Sequence, residues 1–289
     1  MRKASQLPDG EPVREVLRNG LPPGSPRHLA VLFTDPGARA SLGALYAFEA
    51  ELRRIVAGDS HEAAHARLQW WRGELDRLSE GRPTHPIAAA LQPLQKLAGV
   101  DLALLREPLV AADLDLARFT YHSWPELEAY CFRASGAFQL LIATVVASGR
   151  PLTEQEHRFA RQLGAGVRQA EILRDLVTDV GRGRLYAPLD ELETAGLDPE
   201  VLVRSPTDAA AARFLADWRG RVRRELQSLP SLLDSPGLRG AQRHGLVLAS
   251  MHVRLVERMG GPDSRASRRF DLEPLGRLWT AWRTAVRHT

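Results

Sequence analysis

No stretch of this 289-residue chain alternates apolar and polar residues with a period of two over the length of a strand. Apolar residues recur instead every three or four positions, in runs opened by capping residues and closed by glycine or proline. From Ala38 to Val56, the residues Leu42, Leu45, Phe48, Leu52 and Ile55 share one helical face, with Glu49, Glu51, Arg53 and Arg54 on the other. A second run starts at Ser60 and passes through Leu68, Trp70, Trp71, Leu75 and Leu78. Shorter helices are expected over 87–97 and 102–116, and longer ones from Ser123 to about Ser148 and from Thr153 onward. Three more follow near 208–229, 244–259 and 274–286. Ser123 with Glu126, and Thr153 with Glu156, have the capping-box spacing. The expected fold is all-α: an N-terminal extension over 1–24, rich in Pro, Gly and charge, and one helical domain over 25–289.

Composition narrows the function classes. Hydrophobic residues make up 44% and charged residues 26%, the balance of a globular chain. Basic side chains exceed acidic ones by only 39 to 35, so the high pI of about 9.7 reflects arginine content, and no nucleic-acid partner is expected. The single cysteine, Cys131, excludes an internal disulfide and a thiolate zinc cluster. The first ten residues lack the apolar core of a secretory signal. The most apolar run, Phe138 to Ala147, is interrupted by Gln139 and Thr144 and reads as a buried helix. A cytoplasmic protein is expected, with peripheral contact to an inner membrane allowed. The common phosphate-loop, dinucleotide, metalloprotease and hydrolase motifs are missing, and the nine histidines show no paired ligand spacing.

One stretch carries chemistry, Arg168 to Pro188. Asp175 and Asp179 stand four apart, which on a helix places both carboxylates on one face, able to share a cation or grip a basic partner. Gly181 and Gly183 then weaken the helix, and Arg182 and Arg184 bring positive charge to its end. Such a face suits a metal-bridged phosphate. By spacing alone a solvated acidic pair with a basic C-terminal cap is the more ordinary reading.

Leu173-Arg174-Asp175, Asp179, Arg182-Gly183-Arg184-Leu185-Tyr186 and Pro188 to Leu192 resemble the second aspartate-rich motif of the squalene and phytoene synthases. Ala44-Leu45-Tyr46-Ala47-Phe48 resembles the lead-in to the first motif, and Gln69-Trp70-Trp71-Arg72 with Thr84-His85-Pro86 the segment after it. Tyr130-Cys131 with Ala134 to Gly136 looks like the central helix, and Arg254 to Met259 the C-terminal one. The resemblance implies an isoprenoid-synthase-type helical bundle around a central cavity. Members condense two isoprenyl diphosphates head to head, with Mg²⁺ bridging two aspartate motifs to the leaving diphosphate. It implies metal and catalytic roles for Asp175 and Asp179, a catalytic role for Tyr186, and contacts to an isoprenyl diphosphate or lipid-like ligand from Arg174, Arg182, Arg184, Arg53, Arg54 and Tyr46.

The first motif departs from the family. Its aspartate positions fall at about Arg53, Arg54 and Ala57, and guanidinium groups do not ligate Mg²⁺. In the second motif, Arg168 and Glu171 stand where the family has Gln and Asn. A reduced site for Mg²⁺ is therefore expected, with ordinary two-motif condensation impaired or absent. If the facing helices pack as in the family, Arg53 and Arg54 point toward Asp175 and Asp179, and direct ion pairs in the metal's place are the hypothesis to test. The segment Phe48 to Ile55 is also similar to a divergent branch that includes a mitochondrial complex I assembly factor, which implies an alternative role as a non-catalytic assembly or membrane-associated factor. Chain length, product, partner and oligomeric state are not encoded in any of these residues.

Overall fold

The computed structural model describes residues 20–58, 60–97, 99–148, 150–199, 201–204, 208–260 and 272–288. Most of the extension expected over 1–24 lies outside the described residues. Among those described there is no strand. The helices are α1 (Pro26–Leu32), α2 (Pro36–Ala57), α3 (His61–Ser79), α4 (Pro86–Leu91), α5 (Glu107–Leu116), α6 (Trp124–Cys131), α7 (Ala137–Val146) and α8 (Glu154–Gly181). They continue with α9 (Leu189–Thr194), α10 (Val201–Arg204), α11 (Ala209–Ser228), α12 (Pro236–Ala241), α13 (Arg243–Met259) and α14 (Pro274–Arg287).

Caps place the helices that matter for the site. Asp35 accepts from the Gly37 N–H and Pro36 occupies the first turn, which starts α2. Thr153 and Glu156 form the reciprocal box that starts α8: the Glu156 N–H donates to Thr153 Oγ1, and Glu156 Oε2 accepts from the Thr153 N–H. The box expected at Ser123 forms differently. Ser123 makes no side-chain cap, and Glu126 reaches back one residue further, to the His122 N–H. The helix expected over 87–97 ends at Leu91 and continues as a 3₁₀ turn, Gln92–Lys96, with Pro93 in its first turn; a second 3₁₀ turn, Leu102–Arg106, precedes α5.

Two apolar cores lie side by side. One gathers α2, α3 and α4 with Phe138 and Leu141 of α7, and buries Phe48 between Trp71 (ring centroids 5.0 Å) and Phe138 (6.0 Å). The other gathers α8, α11 and α13. Glu74, fully buried on α3, ties down the loop before α4 by accepting from the Thr84 and His85 N–H groups, while His85 caps α4 and packs its ring on Trp71. His85 is thus the locally bonded loop residue its flanking prolines imply.

The helix run Trp124–Val146 is long and apolar enough to cross a membrane by length and composition, with 72% of its most apolar window buried inside the protein. Midway it opens into a π turn, Phe132–Gly136. The small residues there serve close packing. A Cβ placed on Gly164 of α8 would lie 2.4 Å from the Gly136 Cα, closer than backbone atoms allow. Gly164→Ala is expected to destabilise by ~1–3 kcal/mol through forced separation of the helices, readable as a lowered urea midpoint with unchanged slope.

Candidate active site

A cavity of about 380 Å³ lies between the two cores, walled by α2, α5, α6, α7 and α8. Its apolar wall is Leu52, Val56, Pro108, Ala111, Ala112 and Phe138. Its polar wall brings together Asp175, Asp179, Arg174, Arg182, Arg184 and Tyr186 with Arg53 opposite. The C-terminal end of α8 is a Schellman turn. Gly183 has φ +76°, the Gly183 N–H donates to Val180 O, and the Arg184 N–H donates to Asp179 O (both 2.8 Å). That turn reverses the chain so that Arg184 and Tyr186 return to the cavity.

Each expected site residue has a definite partner or place. Asp175 is held by its neighbour Arg174, whose Nε donates to Oδ1 (3.0 Å) and Nη2 to Oδ2 (2.5 Å). Asp179 has Arg184 Nη1 at 3.9 Å, and burial raises its carboxyl to about pH 6, with Arg168 pulling the other way. Arg184 is also structural: Nη2 donates to Val56 O (2.7 Å) at the end of α2, and Nε donates to Asp115 O (3.1 Å). Arg182 is exposed at the rim. The Tyr186 hydroxyl donates to Asp115 Oδ1 (2.7 Å), as does that of Tyr130 (2.8 Å), and burial pushes both phenols above their usual range. Arg168 lies across both rings, its guanidinium carbon 5.3 Å and 5.2 Å from their centroids.

The expected pairing of Arg53 and Arg54 with the two aspartates is corrected. Arg53 Nη2 donates to Glu49 Oε1 (2.9 Å) and Glu171 Oε2 (2.6 Å). Arg54, roughly 100° further round the helix, points away, pairs with Glu51 and does not line the cavity. Two carboxylates decide this: Glu171 is 0% and Glu49 5% exposed, and buried charge captures the nearest cation. Arg27 of α1 completes the set. Its Nε and Nη2 donate to Glu49 (2.7 and 2.9 Å), and Nη2 lies 2.9 Å from Glu171 Oε1. Burial raises both carboxyls, but Arg27 and Arg53 more than offset it, leaving Glu171 well below and Glu49 below the usual range.

Two arginines and two glutamates thus alternate across α1, α2 and α8 at the edge of the cavity. On their other side is a recess of about 280 Å³ lined by Arg27, Tyr46, His252, Leu272 and Arg277, which shares Glu49, Arg53 and Arg174 with the main cavity. Tyr46 faces this recess, and its hydroxyl lies 3.0 Å from His244 Nε2. Burial, then Arg27, drives His244 down to about pH 3; burial brings His252 to about pH 4, so both rings are neutral. Paired histidine spacing does occur elsewhere: His61 and His65, four apart on α3, place their Nε2 atoms 3.0 Å apart.

Sequence reasoning passed over Arg27, Glu49 and Asp115 as site residues. Glu171 and Arg168 were flagged only as departures, although opposite charges at Arg53 and Glu171, both in motif positions, were a usable signal. The donors do not fit a two-motif magnesium cluster. Among the described residues no group of three or more His, Cys, Asp or Glu is placed to hold a metal, and Arg53 stands where the second carboxylate set is needed.

An all-helical bundle around one polar-mouthed cavity, with a four-spaced aspartate pair on its longest helix, is the architecture of the isoprenoid synthases. Squalene synthase HpnC from Alicyclobacillus acidocaldarius superposes with a TM-score of 0.71 at 20% identity, over 86% of this chain and 91% of that one. A dehydrosqualene synthase solved with a ligand gives 0.71 at 16%, over 96% and 98%. Residues 23–275 match the family described as squalene/phytoene synthase, and the chain belongs to that family. Chloroplastic phytoene synthase 3 of Zea mays is 32% identical over 204 residues, 69% of this chain and 46% of that protein. Chloroplastic phytoene synthase 2 of Solanum lycopersicum is 28% identical over 212 residues, 72% and 66%. The chain therefore spans about half to two-thirds of the length of these relatives.

Proposed function

We propose that this protein binds an isoprenyl diphosphate or a similar anionic amphiphile in the main cavity, with arginine doing the charge neutralisation that the two-motif magnesium cluster does elsewhere in the family. The observation that carries this reading is the Arg27–Glu49–Arg53–Glu171 set, which fixes one cation, Arg53, on the first-motif helix and a second, Arg27, beside it on α1. The cavity lining as a whole supports it. Arg53, Arg168, Arg174, Arg182 and Arg184 face Glu49, Asp115, Asp175 and Asp179, five cations to four carboxylates. Guanidinium groups bind phosphate oxygens bidentately without a metal. The apolar wall receives the chain and excludes water, and 380 Å³ is near the low end of small-molecule sites, roughly 300–1,000 Å³.

Head-to-head condensation by the ordinary route is absent on this reading, because Glu49, the cavity-lining carboxylate of α2, is already held by Arg27 and Arg53, and Asp115 of α5 by Tyr130 and Tyr186. The most these residues support is a single Mg²⁺ at Asp175 and Asp179, completed by phosphate oxygens and water. Such binding is expected to weaken below about pH 6, since a protonated Asp179 must lose its proton to ligate. Calorimetric titration of Mg²⁺ into protein with bound diphosphate, at two pH values either side of 6, checks this; pH-independent affinity excludes Asp179 as a ligand.

Arg182→Ala, exposed at the rim and without a structural partner to disturb, is expected to weaken farnesyl diphosphate binding by about tenfold, ~1.4 kcal/mol, with an unchanged melting temperature. Equal affinity in wild type and variant removes Arg182 from the headgroup site. The second reading, an interaction factor on the same scaffold, is favoured by the same arginine-filled motif. It requires that Asp175→Ala and Asp179→Ala leave function in cells intact, and loss of function with unchanged stability counts against it.

A further inference from the structure

Helix α14, Pro274–Arg287, is amphipathic in the wrong sense for a core helix. Its buried face is small: Thr280, Ala281 and Ala285 pack inward, with Thr280 accepting from Arg254 of α13 (2.8 Å). Its large apolar residues point out. Leu275 is 81% exposed, Trp279 56% and Val286 56%, with Leu278 and Trp282 about half exposed. At about 100° per residue these five lie within an arc of roughly 100° on the solvent side. They are half of the exposed large apolar side chains among the described residues, gathered on a helix of 14 residues. Scattered surface apolar residues need no explanation, but a contiguous stripe does.

Charge identifies what covers the stripe. The helix contains Arg277, Arg283 and Arg287 and no acidic residue. Arg283 and Arg287 are exposed and flank the apolar arc on one side. Beyond the C-terminal end, Arg239 and Arg243 add positive potential. Burial lowers the His288 imidazole, and Arg239, Arg287 and Arg243 lower it further. The acid at the other end, Glu273, is paired with Arg258 (3.2 Å). Two tryptophans side by side, with ring centroids 5.1 Å apart, have the amphipathic ring character that favours the headgroup boundary of a bilayer. An apolar stripe with tryptophan at its centre and arginine at its flank is the composition of an in-plane interfacial helix.

We propose that α14 docks the protein on an anionic lipid surface, its stripe inserted to the acyl boundary and Arg283 and Arg287 against lipid phosphates. This surface is independent of whether the main cavity takes an isoprenyl diphosphate, and vesicles free of such lipids test it alone.

The test is co-sedimentation of the full chain with phosphatidylcholine vesicles, with and without phosphatidylglycerol. Binding is expected to the anionic vesicles, to fall steeply with added salt, and to drop about tenfold or more in Trp279→Ser/Trp282→Ser and in Arg283→Glu/Arg287→Glu. All four side chains are exposed, so melting curves should match wild type. Failure of the wild type to sediment with anionic vesicles at low salt overturns the proposal, as does equal sedimentation of both double variants. If sedimentation velocity shows a dimer that the tryptophan variant abolishes, the stripe is covered by a second copy and the lipid assignment is wrong.

Discussion

Glu171→Ala is expected to destabilise the fold by ~3–5 kcal/mol, the usual cost of removing one partner from a buried charge network. Glu171 is fully buried and touches both Arg27 and Arg53, so its loss leaves two guanidinium groups sharing Glu49 alone. Thermal unfolding should show a fall in Tm on the order of 10 °C. Replacing all four members by apolar residues of similar volume should cost far less, because no unpaired charge remains. If Glu171→Ala proves as stable as wild type, the network is not closed as described. The pH response follows from the same groups. Glu49 and Glu171 are more acidic folded than unfolded, so their contribution is complete above about pH 4.5 and is lost as pH falls through their lowered values. Asp179 runs the other way, since its raised value favours the folded state as pH drops from about 6 toward 3.8. Acid unfolding should therefore begin only below about pH 4.5.

Restoring a family aspartate alone is expected to fail. Arg53→Asp removes one of the two cations that Glu49 and Glu171 share and sets a third carboxylate beside them, for a loss of ~4 kcal/mol or more and no gain in diphosphate release. Pairing it with Glu171→Asn, the residue type the family carries there, removes one of the opposing charges and should recover a large part of the stability. The comparison of single and double variants is a coupling measurement, and additive effects would mean that the two positions do not interact.

The helices were legible because their signals are local. The box at Thr153 and Glu156 lies within one turn, and the stop at Gly183 needs only the αL conformation that glycine tolerates. The packing of Gly136 on Gly164 joins two helices, and no local spacing reveals that pairing. The 3₁₀ turns at Gln92–Lys96 and Leu102–Arg106 were read as parts of regular helices, since apolar spacing does not separate the two over a single turn. The site was half legible. Asp175, Asp179, Arg184 and Tyr186 lie close in sequence at one helix end and were found together. Arg27, Glu49 and Glu171 are brought together by helix packing, with separations of 22 residues from Arg27 to Glu49 and 118 from Arg53 to Glu171. Before packing, Glu49 looks like part of an ordinary solvated face, and the acid the family resemblance points to, Asp175, is already occupied by Arg174.

The most direct measurement is calorimetric titration of farnesyl diphosphate into the purified chain with Mg²⁺ and again with EDTA, with released diphosphate assayed in both samples. Arginine in place of the metal cluster requires binding that persists in EDTA, with at most about a tenfold loss from the one Mg²⁺ that Asp175 and Asp179 support, and no release above a buffer control. Binding that is lost in EDTA, or Mg²⁺-dependent release abolished by Asp175→Ala, would contradict it.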